Sequence, residues 1–263
     1  MAISVEQMRL EGVDSMLKNP TIARLRDMRL KAMADMMEEP GAELNDLTFD
    51  ERFSLMVERE WEAKRNNKIK RYTAAASFDV DACLEDIDYG SHRKIDKDTI
   101  IKLSTCNYIE QKLNILISGK TGSGKSYLAS ALGNAACRNL YKTKYHRVPE
   151  LLIEMATAKT DGTYHLFMKT LRKWELLILD DIGIKAYDQE EARDLLEIAE
   201  LRYNKSSTIF LSQIPHDKWY ELFPDPTIAD AFLDRIIHNS YVIFLDSKRS
   251  MREVTAKKKM GND

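Results

Sequence analysis

The sequence predicts an α/β fold, a parallel sheet flanked by helices, preceded by a small all-helical N-terminal domain. Three observations carry that prediction. From about residue 86 onward, short apolar runs alternate with helix-forming stretches, and strands apolar on both faces belong in a parallel sheet covered on both sides. Residues 1–74 contain only Gly12 and Gly41 among many Met, Leu, Glu, Lys and Arg, which is helical composition. Between an apolar run ending at Ile117 and a helix-forming run starting at Tyr127 lies a glycine-rich turn, the signature of a strand feeding directly into a helix.

In chain order, Pro20 and the pair Pro40-Gly41 punctuate the N-terminal part into three helices. The second is expected from about Thr21 to Glu38, with Leu25, Met28 and Met36 among its apolar positions. The third opens on Thr48-x-x-Glu51, a capping box, and carries Phe49, Phe53, Met56, Val57 and Trp61 at helical spacing. Met-rich stripes of this kind are most often core or helix-packing faces. Residues 75–85, small and neutral and then acidic, read as a linker between the helical domain, 1–74, and an α/β domain, 86–252. A basic tail, 253–263, ends the chain. Strands are expected at Leu113–Ile117, Lys142–Val148, Leu176–Leu179, Thr208–Leu211 and Tyr241–Leu245. Helices are expected after Pro149, over Glu190–Tyr203, and after Asp225-Pro226, where the aspartate caps.

Composition narrows the functional classes. The formal net charge of −2 gives no global attraction to nucleic acid, so any such surface must be local. Cys83, Cys106 and Cys137 are odd in number and lack metal-ligand spacing, as expected of reduced thiols in the cytoplasm. No apolar run approaches membrane-spanning length, and the first residues carry no signal-peptide pattern, so no membrane partner is expected.

The glycine-rich turn reads Gly119-Lys120-Thr121-Gly122-Ser123-Gly124-Lys125-Ser126, with Tyr127 next, matching G-x-x-x-x-G-K-[ST]. Glycines let successive N–H groups turn inward around a phosphate, and the helix start adds its positive dipole end. Lys125 reaches the β and γ phosphates of a nucleoside triphosphate, and the Ser126 hydroxyl ligates Mg²⁺. A second motif, Leu176-Leu177-Ile178-Leu179-Asp180-Asp181, carries two carboxylates to the C-terminal edge of a buried strand, where ligands of open α/β sheets sit. Asp180 is the candidate Mg²⁺ residue and Asp181 the candidate base for the attacking water. Paired acids also cap helices, but the glycine-rich turn upstream favours the phosphate chemistry. Ser212-Gln213, at the end of the following strand, offers a polar group to the γ-phosphate or the water, a weak signal by itself.

Five cations in eight residues, Lys64, Arg65, Lys68, Lys70 and Arg71, close the third helix with no acid between them. Such runs are usually solvated; the functional reading is contact with a nucleic-acid backbone. Arg235, late in a helix, and Arg249 and Arg252, after the last strand, are surface arginines by default.

These residues together resemble the IstB-type family of AAA+ transposition helper proteins, over nearly the whole length. The pieces that carry the resemblance are Leu84-Glu85-Asp86-Ile87-Asp88, the phosphate turn, Leu179-Asp180-Asp181-Ile182-Gly183, Ser212-Gln213, Asp230-Ala231-Phe232-Leu233-Asp234-Arg235 followed by His238-Asn239, and Ser250-Met251-Arg252. The DnaC and DnaA groups are similar over the ATPase core. The resemblance implies ATP and Mg²⁺ as cofactors, and duplex DNA, a transposase and further copies of the chain as partners. It implies sensor 1 at Gln213, an arginine finger acting on a neighbour's ATP at Arg235, and sensor 2 at Arg252, with Arg249 as the substitute. It also raises the basic block to a DNA contact. Two departures stand out: Asp181 replaces the glutamate usual in AAA+ proteins, and Gln213 the usual Asn or Thr. The rival readings are a DnaC-like helicase loader, whose N-terminal helices grip a helicase, and a small-molecule P-loop kinase, which the adjacent carboxylates fit poorly.

Overall fold

The computed structural model describes residues 20–39, 41, 46–90, 93–247 and 251. The chain divides into two compact units, 1–70 and 71–263, and the division falls inside one long helix.

In the first unit, helix α1 covers 20–27 among the described residues, α2 is Lys31–Glu38, and α3 is Phe49–Ala76. The single helix expected from Thr21 to Glu38 is therefore two. Arg29 adopts φ 60, and Leu30 N–H closes back on Leu25 O at 2.8 Å, a helix-ending turn that usually announces itself with glycine. Ile22, Leu25 and Ala34 form a small core, with Leu30, Met33 and Met37 against it. Leu30 gives α2 no side-chain cap, and α3 supplies one: the buried Glu60 carboxylate accepts from Ala32 N–H at 2.8 Å and Met33 N–H at 3.2 Å. The capping box that opens α3 forms, with Thr48 N–H on Glu51 Oε2 at 2.8 Å and Glu51 N–H on Thr48 Oγ1 at 3.4 Å. The α3 stripe corrects the expectation of a packing face. Phe49, Phe53, Val57 and Trp61 are 78%, 50%, 45% and 55% exposed, and only Met56 is half-buried.

The second unit is a three-layer α/β structure. Its elements are β1 (Arg93–Lys94), α4 (Lys97–Ser104), α5 (Asn107–Glu110), β2 (Asn114–Gly119), α6 (Lys125–Arg138), β3 (Thr143–Arg147), α7 (Val148–Thr160), α8 (Tyr164–Arg172), β4 (Leu176–Ile182), α9 (Gln189–Arg202), β5 (Ser207–Ser212), α10 (Pro226–Ile237) and β6 (Ser240–Ser247). The sheet order is β1-β6-β2-β5-β4-β3; β2 to β6 run parallel and β1 is antiparallel to β6. Alternate residues feed two cores. Ile115, Ile117, Ile178 and Leu211 pack with α4, α5 and α6 on one face. Leu116, Leu177, Leu179 and Phe210 pack with α7 to α10 on the other. Leu176 to Leu179 are at most 1% exposed, and each such side chain contributes about 1.5–3 kcal/mol. Asp225 caps α10 as expected, accepting from Thr227 N–H at 2.8 Å.

Residues 75–85, expected to be a linker, are instead packed. Ala76 is fully buried, Phe78 lies against Gly133 of α6, and Asn134 of α6 donates to Ala82 O at 2.7 Å. Phe78, Val80, Ala82 and Leu84 alternate with Asp79, Asp81 and Cys83, a period of two that signals one buried side, and the linker reading passes over it. The tail, 253–263, lies outside the described residues.

Candidate nucleotide site

The site forms at the carboxyl edge of the parallel sheet, where β2, β4 and β5 end side by side. After β2 the chain turns through Gly119 to Gly124 and enters α6. Gly124 takes φ 88, the left-handed angle that ends the turn, and is the N-cap of α6 without a side chain of its own. Gly119 is needed for room: a methyl there would meet Leu245 O of β6 at 2.3 Å. Lys125 is buried and folds back over the turn, donating to Gly119 O at 2.8 Å and Lys120 O at 3.1 Å. Its ammonium thus crosses the space that the turn encloses. Thr121 Oγ1 bridges to Gln213 Oε1 at 2.8 Å, so the strand end after β5 touches the turn directly. Its neighbour Ser212 is buried and spends its hydroxyl on Ile182 O at 2.7 Å, leaving Gln213 as the group facing the turn. Met251 N–H donates to Gly122 O at 2.8 Å. The Tyr127 hydroxyl lies 3.5 Å from Cys83 O.

The acid pair sits where the β4–β5 register slips between Leu179 and Ile182, an irregularity that re-aims side chains at a sheet edge. Asp180 is gathered into the turn. Ser126 Oγ donates to its Oδ2 at 2.7 Å, the buried Tyr145 hydroxyl donates to the same oxygen, and Asp181 N–H donates to Oδ1 at 2.6 Å. Burial first, and then the hydrogen bond to Asp180, push the Tyr145 phenol far above its ordinary pKa, so it remains a donor. Asp181 takes φ 63 and is turned toward Arg147, whose Nε and Nη2 both reach Asp181 Oδ2, at 2.9 and 2.6 Å. That bond raises the Arg147 pKa further and fixes the ion pair. Among the described residues no cluster of three or more His, Cys, Asp or Glu has metal-ligand geometry. The residues present fit a Mg²⁺ ion that arrives with a triphosphate: the Ser126 hydroxyl donates its hydrogen bond to Asp180 and keeps its lone pairs for a cation beside a carboxylate.

The expected site residues thus divide. Lys125, Ser126, Asp180, Asp181 and Gln213 converge on one corner of the sheet. Arg235 does not join them. It donates to Ala231 O at 2.6 Å and to Glu200 of α9 at 2.8 Å. Arg249 and Arg252 lie outside the described residues. Of the basic block on α3, Lys64 sits 3.5 Å from Glu60, Arg65 lies over the Trp61 ring, Arg71 lies over Tyr72, and Lys70 is exposed; Lys68 is half-buried. Sequence reasoning missed Tyr145 and Arg147, both on β3. A polar aromatic and a cation two residues apart at the end of the strand next to the acids was the available signal.

Sheet and turn together define a P-loop nucleoside-triphosphate-binding protein. Its fold is the AAA+ fold. The crystal structure of DnaI superposes with TM-score 0.53 at 22% identity, over 62% of this chain and 90% of that one. AMPPCP-bound DnaA from Aquifex aeolicus superposes with TM-score 0.55 at 19% identity, over 71% and 57%. The chain belongs to the family of IstB-like ATP binding proteins, whose model matches residues 23–259. It is 40% identical to the insertion sequence ATP-binding protein y4pL of Sinorhizobium fredii, over 90% of this chain and 98% of that protein. It is 37% identical to the ATP-binding protein of insertion sequence IS1162 from Pseudomonas fluorescens, over 76% and 88%. The protein is therefore an ATP-binding member of the insertion-sequence helper family. Among the described residues no helix is long and apolar enough to cross a membrane.

Proposed function

We propose that the chain is a Mg²⁺-dependent ATPase that assembles with further copies of itself on duplex DNA and assists the transposase of its insertion sequence. The observation that carries this reading is the Ser126–Asp180 hydrogen bond, 2.7 Å, with Asp181 beside it, in a chain of the IstB-like family. Lys125 and the backbone of the turn bind the phosphates. Mg²⁺, when bound, screens the phosphate charge between Ser126 and Asp180. Asp181 orients the attacking water, and Gln213 senses the γ-phosphate from the strand end. Arg235 acts on ATP held by a neighbouring copy, and Arg252, with Arg249 as the substitute, acts on the chain's own ATP. The Arg235 role is supported by its bonds, none of which goes to its own phosphate turn. Lys64, Arg65, Lys68, Lys70 and Arg71 bind phosphates of the duplex, as their common helix and charge support. The domain reading that goes with this is a helical DNA- or partner-binding part before the ATPase part. The cytoplasm is its proposed location.

The test is ATP hydrolysis and duplex binding by Arg235→Ala mixed with a Lys125→Ala chain. Activity recovered in the mixture supports a shared site. Full activity of Arg235→Ala alone, at saturating ATP and protein, sinks it. One observation favours a second reading, a helicase-loader type of protein: the exposed apolar row on α3 suits a protein partner better than a phosphate backbone. A stable complex with a replicative helicase and little duplex affinity would establish it.

A further inference from the structure

Helix α8 was not expected from the sequence and serves none of the roles above. Its inner side is fixed: Met168 and Leu171 are buried in the core of the second unit, and Tyr164 and Phe167 pack against that core. Its outer side carries His165, Lys169, Arg172 and the following Lys173, all exposed. Positions 165, 169 and 173 succeed one another at one-turn spacing, and 172 lies beside them, so the four share a face about 12 Å long. The helix contains no acidic residue.

Two ordinary explanations for such a face find little support here. The first is ion pairing. Some other cations of this unit meet acids, as in Arg138–Glu85, Lys185–Glu191 and Arg235–Glu200. Lys169, Arg172 and Lys173 make no ion pair or side-chain hydrogen bond with the described residues. The nearest acid after the helix, Glu175, already accepts from Lys142 N–H at 3.0 Å. The second is completion of the helix end. Cations near a helix C-terminus often serve its free carbonyls. Two of those carbonyls have other partners: Leu171 O accepts from the buried Arg202 guanidinium at 3.2 Å and Thr170 O from Lys173 N–H at 3.1 Å, and no side chain of the three cations bonds a carbonyl among the described residues.

We infer that the outer face of α8 is a second duplex-DNA contact, in the ATPase unit, additional to the basic block on α3 and resting on the duplex-DNA reading above. The three unpaired cations neutralise phosphates along one strand. The face gives no sequence readout, because nothing on it has the length and planarity to follow a base edge except Arg172. Duplex fits better than single strand. A single-strand groove offers exposed rings for bases to stack on, and the two aromatic residues of α8 are turned into the core.

The test uses the full chain with a non-hydrolysable ATP analogue and a duplex of random sequence, its affinity measured across a salt series. The triple variant Lys169→Gln, Arg172→Gln, Lys173→Gln is expected to lose affinity and to flatten the slope of log affinity against log salt by about 2–3 per protomer, the loss of three phosphate contacts. Its analogue binding stays at the parent's value, and the variant Lys169→Arg, Lys173→Arg keeps the parent slope. A triple variant with the parent's slope, on a parent that binds duplex, overturns this inference and leaves the proposed function standing. A parent with no duplex affinity overturns both. Loss confined to single-stranded DNA, with duplex binding intact, overturns the duplex assignment.

Discussion

Replacing Arg147 with alanine releases the candidate base, and the structure sets the size of the effect. Two N–H groups of Arg147 converge on one oxygen of Asp181, at 2.6 and 2.9 Å. In a dry interior such a contact is strong. Here the Arg147 side chain is 48% exposed and that of Asp181 18%, so solvent screening reduces the pair to about 1 kcal/mol. Orienting a water through Oδ2 takes part of this bond, and that cost enters the barrier. Removing Arg147 is expected to raise ATP turnover by about fivefold, the rate equivalent of 1 kcal/mol. Affinity for a non-hydrolysable analogue stays within a factor of about two, since none of the hydrogen bonds of Arg147 goes to the phosphate turn. Arg147→Lys, with a point charge and no planar fork, falls between. The assay is steady-state phosphate release at saturating ATP and fixed protein concentration. A fall in turnover refutes the reasoning, because it means that Arg147 aligns Asp181 for its work rather than withholding it.

Three other outcomes are expected. Lys125→Ala removes a charge-assisted contact to phosphate worth about 1.5–3 kcal/mol, so ATP binds roughly 10- to 150-fold more weakly in a fluorescence titration. Tyr145→Phe keeps the buried ring and deletes one donor to Asp180; the Mg²⁺ concentration for half-maximal ATP binding rises about 3- to 10-fold, while nucleotide binding in chelator stays unchanged. Arg202→Met strips partners from the carbonyls of Leu171, Trp174 and Ser207 and from the Thr208 hydroxyl, and lowers stability by at least about 3 kcal/mol, read as a shifted urea midpoint with an unaltered slope.

The sequence revealed whatever is built from local pattern. Continuous apolar runs gave the central strands because a parallel sheet needs apolar residues on both faces. The turn and the acid pair were legible because phosphate chemistry constrains adjacent residues. Thr48 with Glu51, and Asp225 before Pro226, were legible because caps are local. What stayed hidden depends on distant partners. The Arg29 turn ends a helix without glycine, so no residue type marked it. Residues 75–85 carry an alternation at Phe78, Val80, Ala82 and Leu84, but what they pack on is seen only when Gly133 and Asn134 of α6 are brought against them. Helix α8 has only nine residues and no side-chain cap at Thr163. Tyr145 and Arg147 gain meaning only when β3 lies beside β4. The α3 stripe misled in the opposite sense: its spacing is that of a buried face, but no described element covers Phe49, Phe53, Val57 and Trp61.

The last strand lies so close to Gly119 that no methyl fits between that residue and Leu245, and farther on Met251 holds the carbonyl of Gly122. A turn gripped from one side at two points has little slack. Widening it to seat three phosphates therefore works against Leu245 and Met251 on that side and against the Thr121–Gln213 contact on the other. Met251 thus becomes a gauge of filling: a dye attached at that residue is expected to register an occupied turn from outside it.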